Sequence, residues 1–290
     1  MSHSAAIARY SADQVESVSA HLNPLRMGAE LWARRDLIRP LTVREIQGRY
    51  KGSYLGVVWA VINPLMMLAV YTFVFHSING QRWNPADKTE NFMVYAMHLF
   101  IRIIAFNVFS ESVNKAPTLI ISNPNYVKKV VFPLEILPLS LIGSAIFHSV
   151  LSLAVLLIGA VAGAGPITWS LLYLPLAYVP LVLLTAGFCW ALSSLGVFLR
   201  DVGNLVSVLV QLLFFLTPIV YSPSQVPAWA RRIMQLNPMA LIVDNFGRVV
   251  NDGLGLNWRE WWAVTIFCGV VAVCGYAWFM KIKRAFADVI

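Results

Sequence analysis

The chain has 290 residues, of which 58% are hydrophobic and only 12% charged, with a formal net charge of +8 and a mean hydropathy of +0.67. Soluble domains carry about 25% charged residues, so a soluble fold with one anchor is excluded and an all-α, polytopic membrane protein is expected. The basic residues flank apolar stretches, which points to anionic lipids as partners and away from nucleic acid.

Residues 1–30 are polar and mixed, with Asn23 and Pro24 near their end. They lack the apolar core of a secretory signal and read as a flexible cytoplasmic tail, either partner-binding or dispensable. From Leu31 to Lys51 the pattern changes. Pro40 is expected to break this segment, after which Thr42, Ile46 and Tyr50 recur at four-residue spacing while Arg44, Gln47, Arg49 and Lys51 point elsewhere. Such a helix can lie in a membrane interface with its basic residues on headgroups, each contributing about 1 kcal/mol near an anionic surface. An ordinary solvated helix is the alternative.

Crossing a bilayer takes about 20 apolar residues in a helix. Six stretches qualify, at 57–78, 92–111, 134–162, 170–199, 203–222 and 261–280. Pro175 and Pro180 predict a kink in the first half of the fourth. With six spans and both termini inside, Arg34, Arg35, Arg39, Arg44, Arg49, Lys51, Lys115, Lys128, Lys129, Arg200, Lys281, Lys283 and Arg284 fall on the cytoplasmic side. The outer side holds only Arg82, Lys88, Arg231, Arg232, Arg248 and Arg259. The positive-inside rule supports that orientation. One transmembrane domain is therefore expected over 31–285, with 286–290 as a cytoplasmic tail.

Two connections carry further signals. Between Ser112 and Val131, Pro117 is followed by Ser122-Asn123-Pro124-Asn125 and Tyr126-Val127-Lys128-Lys129. That reads as a turn opening a short docking helix, or as a plain loop. From 223 to 259, Pro223, Pro227, Pro238, Gly253 and Gly255 break a moderately apolar stretch, with Trp229, Trp258, Trp261 and Trp262 near its ends. A broken re-entrant hairpin fits if protein or a water-filled cavity surrounds it. An extracellular loop is the alternative.

The chain has no phosphate-binding glycine loop. His76, His98 and His148 are scattered singly, and no span pairs carboxylates with a histidine. Enzyme chemistry is therefore not expected. Arg102 stands out as the charge inside an otherwise uncharged interior, one helical turn from His98. An ionisable group at that depth signals a function: it faces a transport path or pairs with a carboxylate on a neighbouring helix. Aromatic residues such as Tyr71, Phe75, Phe106, Phe109, Phe214, Phe215 and Tyr221 offer faces for stacking on sugar rings, although most membrane aromatics simply pack.

The stretch Arg49-Tyr50-Lys51-Gly52-Ser53-Tyr54-Leu55-Gly56-Val57-Val58-Trp59-Ala60-Val61-Ile62-Asn63-Pro64 resembles the opening of the membrane subunits of polysaccharide-exporting ABC transporters. So does Gln211-Leu212-Leu213-Phe214-Phe215-Leu216-Thr217-Pro218-Ile219-Val220-Tyr221, followed by Leu236-Asn237-Pro238-Met239, with Arg200-Asp201 between. The likeness spans roughly 30–285 and is strongest to the O-antigen branch, with capsule and teichoic acid exporters as relatives. It implies a homodimeric channel in the bacterial inner membrane, driven by two copies of a separate ATPase that binds ATP and Mg, for a polyprenyl-diphosphate-linked polysaccharide. It implies headgroup contacts at Arg44, Arg49, Tyr50 and Lys51. Coupling to the ATPase would involve Pro117, Asn123, Pro124, Tyr126, Lys128 and Lys129. The sugar path would run along Tyr71, Phe75, His98, Arg102, Phe106, Phe109, Phe214, Phe215 and Tyr221, and re-entrant helices would follow the fifth span. His98 and Arg102 depart from the small or apolar residues usual in that second span. A membrane-embedded transferase acting on lipid-linked sugar is the rival class.

Overall fold

The computed structural model describes residues 22–51, 54–84, 92–128, 132–161, 168–227, 229, 231, 234 and 236–289. The expected tail before residue 22, together with Gly52, Ser53, Lys88, Lys129 and Arg232, lies outside the described residues. Among the described residues the chain is helical and contains no strand.

The helices are α1 (Pro24–Ala33), α2 (Arg35–Tyr50), α3 (Trp59–Thr72), α4 (Phe92–Leu119), α5 (Pro124–Val127), α6 (Leu137–Gly159), α7 (Leu174–Phe198), α8 (Val202–Leu216), α9 (Pro238–Val250), α10 (Trp258–Ile282) and α11 (Phe286–Val289). Counting their short 3₁₀ and π-helical extensions, five are long and apolar enough to cross a membrane: Trp59–Ile78, Phe92–Leu119, Leu134–Gly159, Trp169–Phe198 and Trp258–Ala285. The chain is thus a multi-pass membrane protein. The segment expected as a fifth crossing, 203–222, is helical only as far as Leu216. Thr217 is extended (φ −99°, ψ 137°), because the ring of Pro218 disfavours helical backbone in the residue before it.

Three asparagine–proline pairs start helices. Oδ1 of Asn23 accepts hydrogen bonds from the Leu25 and Arg26 backbone N–H groups at 3.0 and 3.3 Å. That of Asn237 accepts from Met239 at 3.0 Å. An asparagine cap followed by proline supplies an acceptor and needs no N–H at the first helical position. The helical part therefore begins at Pro24, inside the expected tail. Asn123 precedes Pro124 of α5 in the same way, but its side chain serves other partners.

Other boundaries also differ from expectation. Pro40 sits within α2, and the helical path is interrupted at Arg34 instead. The carbonyl that Pro40 leaves unpaired belongs to exposed Asp36, where water can satisfy it, while Arg34 is drawn to a buried carboxylate. The second span runs on to Leu119, so the connection expected from Ser112 begins only at Ile120. Val113, Ala116 and Ile120 are buried, and continued packing explains the extension. Pro175 occupies the first turn of α7, whereas Pro180 lies inside it. Phe286, expected in a tail, is buried against Phe198 and Phe279.

α4 is the central element and packs on α3, α6, α7, α8 and α9. The pair α7 and α10 lies close enough that Gly187 backbone occupies the space a Cβ on Gly275 would need, the small-residue contact typical of helices in lipid. α3 is different: only 6% of the apolar window of Trp59–Ile78 is buried. α3, α6 and α8 run one way and α4, α7 and α10 the other, with Leu176 beside Trp261 and Phe198 beside Phe286, just beyond α10, along the parallel pair α7 and α10. One end gathers α1, α2, α5, the close of α4 and the close of α10, and is called the α2 end. The far end gathers residues 79–84, the start of α4, residues 217–227 and α9.

Candidate functional site: an aromatic and amide cavity with a charged end

A cavity of about 710 Å³ lies between α2, α3, α4, α6 and α8, within the size range of ligand sites. Each helix contributes residues at three- or four-residue spacing, the period of one helical face. From α3 come Trp59, Asn63, Met67 and Tyr71; from α4, Ile103, Asn107, Ser110, Glu111 and Asn114. From α8 come Ser207, Gln211, Phe214 and Phe215; from α6, His148, Ser149 and Ser152; and from the end of α2, Arg49 and Tyr50.

Phe214 is the centre of the aromatic part. Its ring lies 5.3 Å from Phe106 at a steep angle and 5.7 Å from Tyr71. Tyr71 continues to Phe75 at 6.4 Å, Phe106 to Phe109 at 6.4 Å, and Phe214 to Phe215 at 5.4 Å. Edge-to-face contacts of this kind hold rings in place. Asn63, Asn107, Asn114 and Gln211 add amide donors and acceptors to the same walls, a role the sequence reading missed. The three- or four-residue spacing of Asn63 from Trp59 on α3 and of Gln211 from Phe214 and Phe215 on α8 was the available signal.

The charged part lies at the α2 end. Arg49 forms an ion pair with Glu111. The Glu111 carboxylate oxygens lie 3.0 and 3.2 Å from His148 Nδ1, and Arg49 Nη1 lies 3.2 Å from the same nitrogen. Lys115 donates to Glu45 at 3.2 Å. His148 is therefore not a solitary histidine, and Arg102 is not the sole interior charge: Glu111 and Glu135 accompany it. The pairing joins α4 to α6 across 37 residues, which no local pattern reveals. Burial holds the Tyr50 hydroxyl above its ordinary pKa, opposed by Arg49 and reinforced by Glu111, so Tyr50 remains a neutral hydrogen-bonding group. Tyr50 OH, Asn114 Oδ1 and His148 Nε2 are buried without a protein partner, although all three residues line the cavity. Buried polar atoms are nearly always satisfied, so these mark places for water or a ligand.

The sites expected from sequence separate into groups. Arg49, Tyr50, Tyr71, Phe106, Phe214 and Phe215 meet in the cavity. Phe75 and Phe109 extend its aromatic network without lining it, and Tyr221 donates to the Phe215 carbonyl at 2.8 Å. Arg44 instead donates to Asn123 Oδ1 at 3.1 Å and to the Tyr126 hydroxyl, tying α2 to α5. Lys51 and Lys128 cap the C-termini of α2 and α5. Pro117 is pressed against Gly196 of α7, where a Cβ would strike the proline carbonyl.

His98 and Arg102 form a separate far-end cluster. The Arg102 guanidinium sits 3.8 Å over the Trp83 ring, and Trp83 stacks on His98 at 5.2 Å, nearly parallel at 4°. Arg102 Nη1 donates to the His98 carbonyl at 2.9 Å, and Nη2 lies 4.0 Å from Asp244 on α9. Any side chain at Gly247 would occupy the guanidinium's place. Burial pushes the nearby Asp252 carboxyl up, against the pull of Arg102. Arg102 is buried, does not line the cavity, and has the Asp244 carboxylate as its neighbour on α9.

At the α2 end, fully buried Glu135 receives Lys283 at 3.1 Å and Arg34 on its other oxygen. Trp190 donates to its backbone carbonyl at 2.9 Å.

The described residues thus form a helical, multi-pass membrane fold around a cavity of rings and amides with a charged end. Residues 36–248 match the family of ABC-2 type transporters, and the chain belongs to that family. It is 28% identical over 257 residues to the O-antigen export system permease protein RfbA of Klebsiella pneumoniae, covering 88% of this chain and 95% of that one. The protein of the same name from Myxococcus xanthus is 29% identical over 225 residues, covering 77% and 83%. The polysialic acid transport protein KpsM of Escherichia coli is 23% identical over 247 residues, covering 80% and 90%.

Proposed function

We propose that this chain is the channel-forming membrane subunit of an ATP-driven exporter of a lipid-linked polysaccharide, O-antigen before capsule. The cavity carries this reading. Its ring faces and amides, repeated along α3, α4 and α8, suit a polar polymer with apolar ring faces. The names of the relatives support the substrate class. The absence of a phosphate-binding loop in the sequence agrees with ATP and Mg being bound by a separate ATPase, in two copies.

In this reading α8 and the Pro218 break together make the sixth crossing, and the membrane is the bacterial inner membrane with both termini cytoplasmic. The α2 end then faces the cytoplasm, α1 and α2 lie at the interface among anionic lipids, and α9 belongs to a re-entrant element at the outer side. The exposed faces of α3 and of α8 (Leu205, Leu209, Leu212 and Leu216) flank the cavity and would meet a second copy in a homodimer. The segment around α5, with Tyr126 and Lys128, would receive the ATPase.

Depleting the protein in its own bacterium tests the function. Full-length, lipid-linked polymer should accumulate inside the cell. Loss of polymer synthesis with no trapped chains would favour the transferase class and refute export.

A further inference from the structure

The Arg49–Glu111–His148 cluster contains two pairings that exclude each other. His148 Nδ1 is within hydrogen-bond distance of both Arg49 and Glu111, but one ring nitrogen cannot accept from a guanidinium and donate to a carboxylate at once. Either Nδ1 accepts from Arg49 while Glu111 pairs with the guanidinium alone, or Nδ1–H donates to Glu111. Exposure is graded across the three. The side chain of Arg49 is 36% exposed, that of Glu111 18% and that of His148 10%, so an arriving anion meets the arginine first and the histidine last.

We propose that Glu111 is a built-in competitor for Arg49. In the unloaded protein it holds the guanidinium, and when a phosphate or diphosphate group of the cargo takes Arg49, the carboxylate passes to His148 Nδ1–H. The donor comes from a change of imidazole tautomer: the Nε2–H bond breaks, Nδ1–H forms, and the proton is relayed through water, with no net charge gained or lost. The cluster thereby rejects uncharged groups, which cannot displace a carboxylate, and admits anionic phosphate and diphosphate groups. Tyr50 OH, buried and unpartnered on the same wall, supplies a donor beside the guanidinium. This inference rests on the export reading for the nature of the cargo, but not for the exchange itself.

The charges facing the exchange are Arg49 and Glu45 from α2, Glu111 and Lys115 from α4 and His148 from α6, with Tyr50 the one other titratable neighbour.

The test is binding of farnesyl diphosphate to the full chain in neutral-lipid nanodiscs, with inorganic pyrophosphate and phosphatidylglycerol-containing nanodiscs as separate arms. Binding of pyrophosphate alone assigns the site to free phosphates. Competition by phosphatidylglycerol assigns it to bulk lipid headgroups. Both outcomes support the exchange if the variants respond as follows. Glu111→Gln should bind about tenfold tighter, because a charged competitor is gone. Arg49→Gln should lose binding and Arg49→Lys should retain part of it. His148→Gln should bind more weakly, because the displaced carboxylate loses the imidazole donor. Each variant is compared at matched thermal stability and elution volume. No binding by the unaltered protein, or weaker or unchanged binding in Glu111→Gln, overturns the proposal. Trapped polymer on depletion would leave the export reading standing in that case.

Discussion

Replacing Arg102 with alanine should release α9 from α4 at the far end. The guanidinium over Trp83 at 3.8 Å is a desolvated cation–π contact worth about 2 kcal/mol. Its hydrogen bond to the His98 carbonyl at 2.9 Å adds about 1.5–3 kcal/mol as a charged donor. Against these gains stands the cost of burying a side chain only 2% exposed, which the Asp244 carboxylate at 4.0 Å offsets in part. Breaking a buried pair costs about 3–5 kcal/mol. Asp244 is 36% exposed and can rehydrate, which places the net loss near the lower figure, about 3 kcal/mol. Arg102→Met keeps the volume and removes the charge, so it should lose less. The assay is thermal unfolding in detergent followed by fluorescence-detected chromatography, with hydrogen exchange over Pro238–Val250. Arg102→Ala should melt several degrees lower with faster exchange in α9, Arg102→Met should fall between, and Gly247→Val should copy Arg102→Ala by expelling the guanidinium. An unchanged melting temperature and unchanged α9 protection in Arg102→Ala would refute the clasp.

The buried carboxylate of Glu135 gathers Arg34 and Lys283, so Glu135→Ala strands two cations. Both are about a third exposed and can rehydrate, which sets the loss at about 3 kcal/mol, and Glu135→Gln should lose less; chromatographic melting reads both. The contact of α1 with α10 should depend on pH. Tyr276 donates to Glu30 at 2.8 Å, as does Arg26. Burial pushes the Glu30 carboxyl up, but these bonds outweigh it and hold it below the ordinary carboxylate range. A depressed carboxylate contributes stability that is fully present above the unfolded value and is lost as pH falls through the folded one. Exchange in Pro24–Ala33 should therefore accelerate only on acidification below about pH 4.5, and be fast at all pH in Glu30→Gln. Acid-independent exchange in the unaltered chain would contradict this.

The long spans were legible because their signal is local. Twenty apolar residues announce a crossing whatever surrounds them, and the ends at 78, 198 and 159 differ little from those expected. What eluded the sequence was tertiary. Pro40 is a helix breaker by chemistry, yet α2 passes through it because the orphaned carbonyl faces water, and Arg34 breaks the path because of a carboxylate a hundred residues away. Ser112 to Leu119 looked like loop because it holds Asn114, Lys115 and Pro117, but Val113 and Ala116 are buried. The aromatics at 71, 106 and 214 were found as a composition signal. Glu111 and His148 were missed because neither means anything without the other.

The polar ties at the α2 end share one design. Arg44 holds Asn123 and Tyr126, Glu45 holds Lys115, and Arg49 holds Glu111, so three residues of α2 engage the close of α4 and the turn beyond it. Arg34, at the head of α2, engages Glu135 at the start of the next span. Exposed single ion pairs are weak, at about 0–1 kcal/mol each, but these three sit in the second half of one sixteen-residue helix and are joined to a buried anchor at its head. A rigid helix pinned at both ends cannot follow one contact without the others. Displacing residues 120–128 therefore pulls α2 through Arg44, and α2 carries Arg49 and Tyr50 at the mouth of the cavity. The charged mouth and the connecting turn are two ends of one lever, and the exchange at Glu111 is the contact that must yield when the lever moves.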